Sequence, residues 1–569
     1  MRKKVVSVLM AATMLTGSIT ALAGCGGIGN GSSVNAKPDA RIATVRMYKA
    51  GYGTKWLEEL ATKFNETYYE EGIAVSIVSK RGDYLGSTMS NELIDPNGTD
   101  LYVAGRVFPE DFELCENLEE TVWNQKPISF DGTEENILYK DKVTPGLDMW
   151  SDNENHEGRY VGYYLSSIAG YIVNQKVLDA YELEIPNTTD EMYAAFEKIQ
   201  NSATPSGLPS KVYPHTYPGG VNGYPSATQY TWLAQRIGYD DYTKFAGLSE
   251  NNTWLTEDGY KCYQDERLID VYEDTCRIYD YAYADLRSLT QSVDSAQGTI
   301  LLDEAAFYPC GTWFYREMYA DYPDEMENMR FIPVPMISAL GEEIFGEGKD
   351  ALYSYVIGLA DAGKSADEIV ADVLANKGEK ITEDQAALVI ERRGYNNDRG
   401  VEHMAVIPKD SEEKDIAALF LRYIASDDAA RVMAQYATGL SCFSSNIDFS
   451  QGEYSSFFQD VIKVGTYQET KMINKGADAG TLAKKLPDCI GLMSMNIVRN
   501  DCLPNYLATL FEKQTSADAL KTSRYEYVND ALTLVRDVSV YRDCAEYLFH
   551  QQADHVAKEW TGWISGLAD

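Results

Sequence analysis

Nine cysteines and five histidines are the first residues to test for metal or nucleophilic chemistry. Eight of the cysteines (Cys115, Cys262, Cys276, Cys310, Cys442, Cys489, Cys502 and Cys544) show neither a CxxC pair nor a metal-finger spacing. They are expected to be mostly buried free thiols. Among the histidines only His550 and His555 stand close together, at a spacing that does not share a helical face. They read as surface residues of a terminal helix. No Gly-x-Ser-x-Gly elbow is present. Gly348-Lys349 is followed by Asp350, which rules out a Walker A loop. Gly27-Ile28-Gly29-Asn30-Gly31 does not follow a strand, so it is no dinucleotide site. Asp95 to Asp100 imitates a calcium loop but lacks the distal Glu. No catalytic residue, metal site or cofactor is therefore expected. A carboxylate pair for glycoside hydrolysis carries no information in a chain with 87 acidic residues.

The ninth cysteine is different. Arg2, Lys3 and Lys4 precede an apolar run from Val5 to Leu22, the pattern of a secretory signal over residues 1–24. The run ends Leu22-Ala23-Gly24-Cys25, which resembles the lipobox of bacterial lipoproteins. That resemblance implies that Cys25 is lipid-modified (an acyl anchor of the palmitate type) and becomes the new N-terminus. Residues 25–40 then read as the modified cysteine and a flexible tether, since Gly, Ser, Asn and Pro there cannot bury enough surface to offset ordering. No later stretch is apolar for 18 residues, so the lipid is the expected membrane attachment, on the extracytoplasmic face. The formal charge of −37 repels phosphate backbones and argues against nucleic-acid binding. Tyr is unusually abundant, at 41 residues, and joins an apolar face to a hydroxyl.

The elements that would position a site alternate strand and helix. Ile42 to Tyr48 predicts a strand, Gly51-Tyr52-Gly53 a turn, and Thr54 the cap of a helix reaching about Tyr69. Trp56, Leu60, Phe64 and Tyr68 recur every four residues and form one buried stripe. Ile73 to Val78 and Asp100 to Gly105 predict two more strands, and the order argues for parallel pairing in an α/β lobe. A fourth strand is expected over Tyr160 to Leu165. Thr188 with Glu191 predicts a capping box and a helix through Ile199. Trp232 to Leu289 is Tyr-rich and helical in pattern, and the prolines hold Phe331 to Pro335 extended. Ala360 to Gly394 reads as a polar helical surface insertion, and Asp415 to Tyr436 as a pair of amphipathic helices.

In this order the motifs resemble the extracellular solute-binding proteins of ABC importers (family 1, the carbohydrate-binding family that includes maltose-binding protein). The resemblance is carried by Tyr48 to Phe64, Gly98-Thr99-Asp100-Leu101-Tyr102, Gly162-Tyr163-Tyr164 with Val173-Asn174-Gln175-Lys176, Pro186 to Glu191, Ala305 to Trp313, Ile407 to Asp410 and Ala418 to Ser426. Val173 and Gln175 depart from the family's Tyr-Asn-Lys pattern. The match runs over residues 42–446. It implies an α/β, two-lobe periplasmic-binding-protein-like fold with a three-crossing hinge, a sugar cleft between the lobes and a mostly helical C-terminal extension. The expected division is residues 41–160 plus 405–438 in the N-terminal lobe and 161–404 plus 439–569 in the C-terminal lobe.

A sugar ring offers an apolar C–H face and a rim of hydroxyls, so its site wants flat rings beside amides, carboxylates or Arg. The resemblance places Trp313, in Gly311-x-Trp313, against the sugar. Tyr52 follows the first strand at the carboxyl end, where ligands of open α/β sheets gather. Asp83 follows the second strand and Arg106 the third, and Arg106 can fork onto hydroxyls. Tyr163 and Tyr164 alternate faces, so one is expected in the cleft and one in the core. Tyr224 and Trp232 flank a Gly/Pro loop of the kind that carries binding residues. Trp56 is expected in the core. The expected function is a non-enzymatic, monomeric, lipid-anchored binding protein that passes a carbohydrate, expected to be an oligosaccharide, to permease subunits. The competing readings are a surface glycoside hydrolase and an adhesive or peptide-binding lipoprotein.

Overall fold

The structure is a computed structural model that describes residues 34–48, 51–80, 87–104, 107, 109–144, 147, 158–219, 223–245, 258–278, 283–284, 286–319, 321–397, 401–445, 447–449, 454–465, 471–473, 525–528, 531–534 and 539–567. Eleven strands build its two principal sheets and the crossings between them. They are β1 (Arg41–Tyr48), β2 (Ile73–Lys80), β3 (Leu101–Ala104), β4 (Gly162–Ser166), β5 (Ala169–Asn174), β6 (Tyr213–His215), β7 (Ala305–Gly311), β8 (Met329–Ile332), β9 (Tyr395–Asn397), β10 (Val401–Val406) and β11 (Leu440–Ser441). The first sheet runs β11-β4-β10-β3-β1-β2 and the second β6-β7-β5-β8.

Within the first sheet β1 is parallel to both β2 and β3, as the strand–helix–strand order requires. The helix Lys55–Thr67 crosses over between β1 and β2 and buries Trp56, Leu60 and Phe64, with Tyr68 half-buried just past its end. Its cap departs from the usual form: the Thr54 hydroxyl donates to the Glu58 carboxylate at 2.8 Å. Buried Asn65 ties the helix to β2, donating to the Val75 carbonyl at 3.0 Å and accepting from the Val75 amide at 2.7 Å. The helices Lys414–Ile424 and Asp427–Tyr436 return to this lobe, where Phe420 and Tyr423 meet Phe64 edge-on at 5.2 and 5.3 Å.

The second sheet is apolar on both faces: every residue of β5 and β7 is buried, as in β4 of the first. Such strands read as continuous hydrophobic runs because helices cover both sides. The helix Thr189–Asn201 begins where the capping residues predict. The Thr188 hydroxyl accepts from the Glu191 amide at 3.2 Å, and the Glu191 carboxylate accepts from the Asn187 amide at 2.8 Å. The segment read as a surface insertion turns out to be structural. Its helices Ala366–Lys377 and Glu383–Arg393 bury Ile369, Val373, Ala386 and Val389 in the second-lobe core. Arg393 grips Asp361 through two hydrogen bonds of 2.8 and 2.7 Å in the same buried layer.

The chain passes from the first sheet to the second between β4 and β5, through Ser167 and Ile168. It returns between β9 and β10 and leaves again after β11. The helix Ser456–Gly465 then packs on β8, with Phe457 against Phe331 at 5.8 Å and Arg330 paired to Asp460 at 2.6 and 2.7 Å. The helix Ser539–Leu567 lies along helix Leu268–Ile278, joined by Arg542 to Asp270 at 2.6 Å and by a Tyr272–Gln552 hydrogen bond. Cys115 and Cys310 are buried free thiols, Cys262 is a half-buried one, and Cys276 and Cys442 are buried.

Candidate functional site

Parallel pairing sets which strand ends lie together. β1 ends beside β2 and β3, so the loops after all three leave from one edge of the first sheet. β6 and β7 are parallel in the second sheet, so Thr216 and Thr312 leave together from one edge of that sheet. The loop after β1 meets the segment after β7 directly. The Tyr52 hydroxyl is hydrogen-bonded to the Thr312 hydroxyl at 2.5 Å. Gly51 lies so close that a Cβ there would stand 2.8 Å from both Trp313 Cβ and Glu317 Oε1. Only hydrogen fits at that approach.

Trp313 is the half-buried ring of this seam, packed against apolar residues of the first-lobe core and of the second sheet's smaller cluster. Its spacing from Gly311 has a steric cause. The indole folds back over Gly311, where an added Cβ would fall 2.0 Å from the ring. Gly-x-Trp is therefore a device that lays a flat ring on the backbone at the end of a buried strand. The following helix, Phe314–Tyr319, carries Arg316, whose guanidinium lies 5.5 Å from both the Tyr315 and the Tyr319 rings. Arg316 also donates to the Gln435 carbonyl at the last turn of helix Asp427–Tyr436, where a cation suits the helix dipole. The Glu317 carboxylate accepts from Gln297 at 2.5 Å.

A buried polar net fixes the other segment of the second sheet's edge. Thr216 reaches Ser288 at 3.3 Å and Gln291 at 3.1 Å, and Gln291 donates to Thr299 at 3.1 Å. The Gly219 amide donates to the Ser288 carbonyl at 2.8 Å. His215, one residue before, is stacked on Phe196 at 5.7 Å, and burial pushes its imidazole down from 6.5 to about 3. Burial likewise pushes the Cys310 thiol up, next to Glu317. Thr216, Ser288, Gln291, Gln297 and Glu317 escaped sequence reasoning. Isolated hydroxyls and amides carry no spacing signal, and only the fold assembles them.

The sequence-derived candidates divide sharply. Trp313 and Tyr52 meet at the seam, but Tyr52 is only 1% exposed and serves as a contact between the lobes rather than as a stacking face. Tyr163 belongs to the first-lobe core, edge-on to Trp123 at 5.6 Å. Tyr164 is equally buried, against Trp56 at 5.8 Å, because β4 is covered on both faces and neither side opens to a cleft. Trp232 is fully buried in the second-lobe core and donates to the Pro335 carbonyl at 2.9 Å. Tyr224 stands in the first turn of helix Gly223–Ile237. Asp83, Arg106 and Cys25 lie outside the described residues. Among the described residues no group of three or more His, Cys, Asp or Glu is placed to hold a metal ion, and no helix is long and apolar enough to cross a membrane.

No family model matches the chain, and no curated protein matches it. Solved structures do. One comes from work on xylan utilization by the thermophilic bacterium Caldanaerobius polysaccharolyticus, with a TM-score of 0.50 and 13% identity over 85% of this chain and 98% of that one. Ligand-free RafE from Streptococcus pneumoniae gives 0.47 and 13% over 91% and 99%. A binding protein, MsmE of Bacillus subtilis, in an open conformation gives 0.47 and 12% over 94% and 100%. Two sheets joined by three crossings, each with its own helical layers, thus make up the two-lobe α/β fold of solute-binding proteins.

Proposed function

We propose that this chain is the substrate-binding protein of a carbohydrate ABC importer. It takes a sugar, an oligosaccharide in our reading, between its lobes and hands it unchanged to the permease. The observation that carries the reading is the half-buried Trp313 indole at the lobe seam, folded back over Gly311, with the Tyr52–Thr312 hydroxyl pair, Arg316 and Glu317 on neighbouring positions of the chain and seam. A flat ring takes the C–H face of a pyranose, and the polar groups suit its hydroxyls. The fold likeness to a protein from a study of xylan utilization supports the same ligand class. Cys25 would anchor the chain by lipid on the extracytoplasmic face, and the tether of residues 26–40 would hold it near the permease, raising effective concentration. The test is a thermal-shift and calorimetry panel of xylo-, malto-, chito- and galacto-oligosaccharides, with the sugars chromatographed afterwards. Stabilisation with intact sugar supports a receptor, since a ligand at a hundredfold its Kd stabilises by about 2.7 kcal/mol. Released products would make the protein an enzyme instead.

A further inference from the structure

We infer that Tyr52 and Thr312 form the pivot on which the two lobes turn, and that this pair sets the position of Trp313. The inference rests on the binding reading only in treating Trp313 as ligand surface. Four separate chain segments converge on the pair. Thr312 is keyed to the first crossing: its amide donates to the Ile168 carbonyl at 3.0 Å, and its hydroxyl accepts from the Ile168 amide at 3.3 Å. Tyr52 is keyed to the turn that leads into β11, the strand after which the last crossing leaves. Gly439, one residue before β11, approaches its ring so closely that a Cβ there would lie 2.8 Å from Tyr52 Cε1. The same position would be 3.4 Å from Leu165 on β4, the strand that leads into the first crossing. The Tyr52–Thr312 hydrogen bond closes the set, joining the loop after β1 to the segment after β7 with both residues buried.

A contact pinned to the first crossing on one side and to the strand before the last crossing on the other moves least when the lobes rotate, because hinge motion is absorbed by the few residues that cross. Trp313 is the next residue after Thr312. Any slack at the pivot therefore shifts the indole relative to the first lobe, and a displacement of the order of an ångström is costly for a positioned group. Tyr52 and Thr312 are positioning residues that act through Trp313.

The test is a mutant cycle. Thr312→Val keeps the shape and removes the hydroxyl, Thr312→Ser keeps the hydroxyl, and Tyr52→Phe removes one oxygen. Affinity is measured with the best binder of the oligosaccharide panel. Thr312→Val and Tyr52→Phe are each expected to weaken binding about five- to tenfold, the double variant no more than Thr312→Val alone, and Thr312→Ser to behave as wild type. In ligand-free protein, X-ray scattering should show a wider spread of lobe angles for Thr312→Val and Tyr52→Phe but not for Thr312→Ser. Additive losses, a Thr312→Ser variant as impaired as Thr312→Val, or unchanged lobe angles in all three would overturn the pivot. The scattering and the additivity of unfolding free energies need no ligand, so failure of the sugar reading leaves these outcomes able to decide.

Discussion

His215 makes the stability of the second lobe depend on pH in a way that can be calculated. Its ring ends β6 inside a shell of Phe196, Tyr217 and Tyr171, with centroids at 5.7, 5.5 and 6.0 Å, and burial pushes its pKa down from 6.5 to about 3. The unfolded chain binds a proton below 6.5 while the folded chain stays neutral until about 3. The unfolded state then holds more protons, so stability falls as pH falls through that window and is fully present above it. At pH 4.5 the unfolded histidine is protonated about a hundredfold over its neutral form, which costs the fold about 3 kcal/mol relative to pH 7.5. Urea unfolding followed by tryptophan fluorescence at pH 7.5, 6.0, 5.0 and 4.5, on wild type and His215→Phe, reads this directly. Carboxylates titrate alike in both proteins and cancel in the difference, and any packing offset from the extra ring volume does not vary with pH. The gap should shift by about 3 kcal/mol in favour of the variant between pH 7.5 and 4.5. Parallel pH profiles would refute a neutral, buried His215.

Three further outcomes follow from the same contacts. Trp313→Ala should weaken oligosaccharide binding about tenfold or more while unfolding stays cooperative, measured by calorimetry. Gly311→Ala should lose binding to a similar degree although every ligand-facing group is retained, because its Cβ takes the place of the indole; unchanged affinity would detach the ring from the site. Asp361→Ala leaves the Arg393 guanidinium without its bidentate partner in a buried layer and should cost about 3–5 kcal/mol in urea unfolding.

Periodicity and capping chemistry made the architecture legible. The Trp56–Phe64 stripe and the Thr188–Glu191 cap each name a local interaction, and a local interaction needs no knowledge of the rest of the chain. Trp313 was named through the resemblance of its Gly311-x-Trp313 segment, and the fold gives that spacing a steric cause in the indole lying over Gly311. Tyr163 and Trp232 misled for the opposite reason. Alternation along β4 distinguishes two faces, but only the helices packed on both show that neither is open. Trp232 flanks a Gly/Pro loop, yet its indole turns into the core and spends its N–H on Pro335. Ile369, Val373, Ala386 and Val389 were hidden by the charged residues around them, which face solvent while these four complete a core. The Tyr52–Thr312 bond joins residues 260 apart in the chain, a distance over which composition and spacing carry no signal.

Small-angle scattering of the purified protein, titrated with the oligosaccharide that stabilises it most, tests the central claim most directly. A fall in the radius of gyration as the ligand saturates, with the sugar recovered intact, is the predicted result: two lobes closing on a guest and releasing it whole. An unchanged radius at saturation, or a shortened sugar in the recovered solution, would contradict it.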